Sequence, residues 1–169
     1  LGYLGCSVAA AGDVNGDGFA DVIVGAPQND AGGFNAGRAY IYFGGQIINN
    51  IADVILTGGA ANDVFGRCVA SAGDVNGDGY SDVIVAAPFD DNTAGVDAGS
   101  AYIYFGGAIM NNVPDVTLTG ETAGDVFGFS VAPAGDVNGD GYGDVIVGAY
   151  QNDGGGTNAG RGYVYFGGP

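Results

Sequence analysis

Residues 73–82, Gly-Asp-Val-Asn-Gly-Asp-Gly-Tyr-Ser-Asp, place three aspartates and an asparagine within nine positions, and the chain does this three times. The pattern is D-x-N-x-D-G-x-x-D, carried by Asp13, Asn15, Asp17 and Asp21, by Asp74, Asn76, Asp78 and Asp82, and by Asp136, Asn138, Asp140 and Asp144. Alternate side chains of a tight turn converge on one point, and converging hard oxygen ligands suit Ca²⁺. The seventh position (Phe19, Tyr80, Tyr142) is expected to add its backbone carbonyl, which leaves the ring free to pack. Glycine at the sixth (Gly18, Gly79, Gly141) permits the sharp reversal that a Cβ would hinder. Solvated turns use the same residue types, but three copies with identical ligand types at identical offsets point to metal. Three carboxylates held a few Å apart repel strongly, so each loop is expected to need its cation. Three Ca²⁺ per chain would lower the formal charge from −16 to −10.

An EF-hand would need a bidentate Glu at position 12 and flanking helices. Position 12 is Val24, Val85 or Val147, inside a run of apolar residues. The loop is therefore read as joining two strands, with the coordination sphere closed at position 9.

The elements that hold these loops repeat as well. Asp13, Asp74 and Asp136 recur at spacings of 61 and 62, which divides one repeat domain (1–169) into units of about 1–58, 59–120 and 121–169. Each unit has a small-residue segment (LGCSVAAAGD, FGRCVASAGD, FGFSVAPAGD), then DVIVGAP, DVIVAAP or DVIVGAY, then YIYF or YVYF. A fourth segment, DVILTG or DVTLTG, follows only in the first two. The segments are short, rich in β-branched and aromatic residues, and bounded by turn formers. Glycine, at 36 of 169 residues, is too frequent for helices. The predicted fold is all-β: three four-stranded antiparallel repeats, stacked as β-propeller blades, the last lacking its fourth strand. That makes eleven strands. Ser7, Ala9 and Ala11 alternate with Cys6, Val8 and Ala10, and such small residues suit an innermost strand near a propeller axis. A β-solenoid would use much shorter repeats.

The remaining composition excludes several classes of function. With three arginines, no lysine and nineteen acidic residues, nothing neutralises phosphates, which argues against nucleic acid. No apolar run approaches 18 residues, so membrane insertion by a helix is not expected. Leu1 reads as the start of a processed chain or an excised fragment. The absence of histidine removes Ser–His–Asp triads and His-ligated zinc, and the absence of lysine removes Schiff-base chemistry. Acidic residues outside the motifs, among them Asp30, Asp90, Asp91, Asp97 and Asp153, fall in Gly/Asn-rich loops, so the chain is read as non-catalytic. Cys6 and Cys68 are expected to be two small buried residues rather than a disulfide. Arg38 and Arg161 are equivalent and are expected to make structural pairs.

FG at 65–66 and 127–128, LG at 4–5, and GAP, AAP and GAY at 25–27, 86–88 and 148–150 resemble FG-GAP repeats. That family forms the propeller of integrin alpha subunits and occurs in bacterial surface proteins and some fungal lectins. The resemblance implies Ca²⁺ in the loop between the first two strands of each blade. It also implies an extracellular or cell-surface setting, with a role in adhesion or ligand recognition. Three blades do not close a ring, so the expected partners are the missing blades of a larger chain or other copies of this one, with an extracellular protein or glycan as ligand. A carbohydrate-binding propeller, with Phe34, Phe89 and Tyr150 as platforms, and a purely structural self-assembling repeat are the alternatives.

Overall fold

The computed structural model describes residues 2–169; Leu1, and with it the expected chain start, lies outside the described residues. Among the described residues there are eleven strands and no helix. They are β1 (Ser7–Gly12), β2 (Asp21–Ala26), β3 (Arg38–Tyr42), β4 (Val54–Thr57), β5 (Cys68–Gly73), β6 (Asp82–Ala87), β7 (Ser100–Tyr104), β8 (Val116–Thr119), β9 (Phe127–Gly135), β10 (Asp144–Ala149) and β11 (Arg161–Tyr165). They form three antiparallel sheets with orders β1-β2-β3-β4, β5-β6-β7-β8 and β9-β10-β11. These are partial propeller blades, with the third one strand short as the sequence predicts.

The blades stack side by side, and β5 lies between β1 and β9. The small-residue strands are therefore the innermost, where neighbouring sheets approach most closely. Backbone bonds stitch the stack at equivalent points. The N–H groups of Ser81 and Gly107 donate to the carbonyls of Asp13 (3.0 Å) and Val14 (2.7 Å), and those of Gly143 and Gly168 donate to Asp74 (2.7 Å) and Val75 (2.8 Å). Gly25 shows how tight the contact is: a Cβ there would collide with the Gly66 carbonyl of the next blade.

Two apolar clusters fill the spaces between blades. Ile23, Ile41 and Leu56 meet Val69, Val83, Val85 and Tyr104 in the first, and Ile84 and Ile103 meet Phe127, Val131, Val145 and Val147 in the second. Fully burying each such side chain is worth about 1.5–3 kcal/mol. The FG phenylalanines anchor both clusters. Phe65 packs edge-on to Tyr104 and tilted on Tyr102, and Phe127 packs edge-on to Tyr163 and Tyr165. Leu4, in the first FG position, is exposed.

Burial of the DVIV strand on both faces holds only in the middle blade. Every residue of β6 is buried, whereas β2 exposes Val22 and β10 exposes Ile146. The cause is position in the stack: the first and third blades each have one neighbour and present one apolar face to solvent. β11 is a free edge of its sheet.

The expected burial of both cysteines needs correction. Both are free thiols, but Cys6 is exposed and only Cys68 is partly covered. Cys6 precedes β1 at a rim position, where its equivalents Arg67 and Phe129 lie over one another rather than inside the sheet stack. Cys68 takes the place of Ser7 in the ladder. Its Sγ accepts from Val131 N at 3.4 Å, as Ser7 Oγ accepts from Val69 N at 3.1 Å.

Candidate metal centres

The acidic loops join β1 to β2, β5 to β6 and β9 to β10, at one end of the stack. Gly12 leaves the strand at φ 81°, in a bulge opposite Asp21, and the turn then passes through Gly16 and Gly18 at φ 75° and 88°. The left-handed backbone at these glycines winds successive N–H groups inward onto the first aspartate. Asp13 Oδ1 accepts from Gly16 N (2.8 Å) and Asp17 N (3.0 Å), and Oδ2 accepts from Gly18 N (2.8 Å). Asn15 Oδ1 accepts from Asp17 N and its Nδ2 donates to Asp17 Oδ2, while Asp17 Oδ1 accepts from Phe19 N. The same bonds recur around Asp74, Asn76 and Asp78 and around Asp136, Asn138 and Asp140.

The ninth-position aspartates sit differently. Asp21, Asp82 and Asp144 are buried at the head of their strands. Asp21 Oδ2 accepts from Val14 N (2.8 Å) and Oδ1 from Gly44 N (2.7 Å). Asp82 binds Val75 N and Gly106 N in the same way, and Asp144 binds Val137 N and Gly167 N. Each thus ties the acidic loop to the end of its blade's third strand. Burial raises the carboxyls of Asp21 and Asp82, the latter to about 6. The two N–H donors oppose that rise, and the neighbouring loop aspartates add to it.

The donor chemistry can be tested against a cation. A carboxylate offers about four lone-pair sites and an amide oxygen two. After the loop's own bonds, one remains on Asp13, one on Asn15, two on Asp17 and two on Asp21. With the seventh carbonyl, this inventory meets the six to eight oxygens that Ca²⁺ takes. Among the described residues, no three carboxylates converge to metal-holding distance. The residues fit the ion by number and type, and the backbone donors hold the loop in shape while the carboxylates stand apart.

Two features escaped the sequence reading. The fourth-position glycine is one: a Cβ on Gly16 would lie 2.5 Å from the Tyr80 ring, and one on Gly77 the same distance from Tyr142. The rings of Tyr80 and Tyr142 therefore cover the preceding blade's loop. The invariance of this glycine across all three copies was the available signal. The backbone-anchoring role of Asp21, Asp82 and Asp144 is the other.

At the opposite end, Arg161 pairs with Glu121 at 2.7 Å, and Arg38 Nε donates to Thr57 Oγ1 at 3.1 Å. Phe34 is exposed, Phe89 is partly covered, and Tyr150 lies tilted against Phe129. All three lie in the polar loops at the end of the blades opposite the acidic loops.

A family model described as FG-GAP repeat matches residues 7–42, 65–104 and 127–165. Integrin alpha-6 of Gallus gallus is 38% identical over 143 residues, covering 83% of this chain and 13% of that protein. Integrin alpha-5 of Xenopus laevis is 34% identical over 162 residues, covering 89% and 15%. Integrin alpha-IIb of Mus musculus is 37% identical over 158 residues, covering 88% and 15%. The chain thus spans roughly one-seventh of the length of these relatives. With three matched repeats, three blades and three acidic loops in register, the chain belongs to the FG-GAP repeat family.

Proposed function

We propose that the chain is a non-catalytic, Ca²⁺-binding FG-GAP module of an extracellular or cell-surface protein, serving adhesion or ligand recognition. The observation that carries this reading is the threefold loop. The lone-pair inventory of Asp13, Asn15, Asp17 and Asp21 recurs around Asp74 and Asp136 with the same backbone bonds. When bound, Ca²⁺ supplies charge neutralisation and cross-linking of the loop, and no reaction is routed through it. The residues that would hold it are Asp13, Asn15, Asp17, Phe19 (carbonyl) and Asp21, then Asp74, Asn76, Asp78, Tyr80 (carbonyl) and Asp82, and Asp136, Asn138, Asp140, Tyr142 (carbonyl) and Asp144. The integrin alpha relatives support the surface setting. The open faces of the first and third blades, with Val8 and Val22 on one and Ile146 and Val164 on the other, favour further blades as partners. Those blades would come from more of the same chain or from a second copy.

Retention of an extracellular-matrix extract on the immobilised chain tests the recognition reading. Proteins held in millimolar Ca²⁺ and released by a chelator support it. Equal retention in both media contradicts it.

A further inference from the structure

We propose that the chain associates head to tail: the open face of the first blade of one copy docks on the open face of the third blade of another. The two interfaces inside the chain show what such a joint needs, because they are built alike. Val69 N donates to Ser7 Oγ in the first, and Val131 N to Cys68 Sγ in the second. Phe65 N donates to the Ala36 carbonyl and Phe127 N to that of Ala98, both at 3.0 Å. At the acidic end, Ser81 N and Gly143 N reach the carbonyls of Asp13 and Asp74. By repeat position, the chain carries both halves of a third joint of this kind. The acceptors are Ser130 Oγ and the Ala159 and Asp136 carbonyls of the third blade, and the donors are the N–H groups of Val8, Leu4 and Ala20 of the first.

The apolar surfaces match in the same way. Inside the stack Val69 and Val83 are buried on one side of the first interface and Ile23 and Ile41 on the other. Their counterparts at the ends are open: Val8 and Val22 on the first blade are 67% and 45% exposed, and Ile146 and Val164 on the third are 40% and 47% exposed. Each open face continues an interface that the chain already makes twice, and the complement of each is the chain's other end. The occupant is therefore a second copy, and the contact is heterologous. Tyr3, at φ 51°, already holds the backbone that Val64 and Val126 hold at 59° and 55° against a preceding blade, so the first blade is shaped for the joint beforehand. The third sheet has three strands, with nothing to match Leu56 or Leu118, so the joint between copies buries less than those within one.

The second copy also completes the third acidic loop. Tyr80 covers Gly16 and Tyr142 covers Gly77, whereas nothing lies within 4 Å of a Cβ placed on Gly139. Val14 and Val75 are buried beneath their loops, but Val137 is 55% exposed. Phe19, exposed on the first blade, is the residue that a second copy brings over Gly139. The net charge of −16 opposes this association, because the joint sets acidic loops of two copies side by side. The docking rests on the stacking of FG-GAP blades; the Ca²⁺ reading enters only by relieving that repulsion, which salt also screens.

Sedimentation velocity of the whole chain tests the joint, from about 1 µM to about 1 mM, in Ca²⁺ and in chelator with about 0.5 M NaCl. Association in either medium supports it, in salt and chelator even where Ca²⁺ has no effect, and a monomer throughout both overturns it. Val22→Glu blocks the first-blade face and Ile146→Glu the third-blade face. Each buries an unpaired charge in the joint and should weaken self-association by roughly a hundredfold or more. Mixed one to one, the two variants retain one open face each, so they should recover the affinity of the unaltered chain and stop at two copies. Single variants that associate as the unaltered chain does, or a mixture that stays monomeric, overturn the proposal. The chain has no Trp, so Phe19→Trp gives a reading that needs neither face variant. Its emission should shift to the blue as copies associate, and an unshifted spectrum through the association overturns the joint as drawn.

Discussion

The ring of Tyr80 covers Gly16 of the preceding blade, and the ring of Tyr142 covers Gly77 in the same way. The first and second loops are thus each roofed by an aromatic residue from the next blade, while Asp13 and Asp74 offer their carbonyls to that neighbour's backbone. Acidic loops and blade stacking are one structure, so a change in either is felt in both.

Gly77→Ala separates the two costs of adding a Cβ. It meets the Tyr142 ring and also strains a residue at φ 76°, whereas Gly139→Ala, at φ 77°, has nothing within 4 Å. We expect Gly139→Ala to cost about 1 kcal/mol from backbone strain, and Gly77→Ala about 1–3 kcal/mol more from the clash. Chemical denaturation of both variants measures the difference. Equal losses would show that the ring moves aside freely.

The FG phenylalanine should dominate the stability of its interface. Phe127 is fully buried against Tyr163 and Tyr165, so Phe127→Ala is expected to cost about 3–5 kcal/mol. Leu4 holds the corresponding position in the first blade but is exposed, so Leu4→Ala should change stability by less than about 0.5 kcal/mol. Urea midpoints of the two variants test the pair, and a comparable loss in both would contradict the burial difference.

Asp82 and Asp78 belong to one acidic loop yet should respond oppositely when metal is withheld. Asp82 accepts from Val75 N and Gly106 N, and Asp82→Asn turns one acceptor into a donor facing an N–H. In chelator that should cost about 2 kcal/mol. Asp78 is exposed and adds repulsion to the buried carboxylate beside it, so Asp78→Asn in chelator should leave stability unchanged or raise it slightly. Thermal melts in EGTA decide this. A larger loss for Asp78→Asn would mean that the ninth aspartate does not anchor the loop.

Chelation itself should lower the melting temperature. A ligand present at about 100 times its Kd adds about 2.7 kcal/mol per site, so three filled loops would make the difference large. Calorimetric scans in Ca²⁺, in EGTA and in Mg²⁺ should rank stability in the order Ca²⁺, Mg²⁺, EGTA, because Mg²⁺ demands stricter octahedral geometry and keeps its waters. Identical scans in all three would count against a metal role.

Much of this architecture was legible because it is periodic. The strands DVIV and YIYF, the acidic loops and the missing fourth strand all follow from comparing the repeats residue by residue. What resisted reading depends on contacts between units. Asp21 looks like one more ligand until Gly44, 23 residues later, is seen to donate to it. Cys6 looks like a core residue because it falls in the alternation of β1, yet it lies at the rim. Val64 and Val126 give no hint of a left-handed backbone, since β-branched residues ordinarily avoid it.

Native mass spectrometry of the chain exchanged into Ca²⁺, then into chelator, counts the ions held by the three acidic loops. Three Ca²⁺ per chain, removed by chelation, are expected, with one fewer ion each for Asp17→Ala, Asp78→Ala and Asp140→Ala. A chain that carries no Ca²⁺ from a saturating solution would contradict that count.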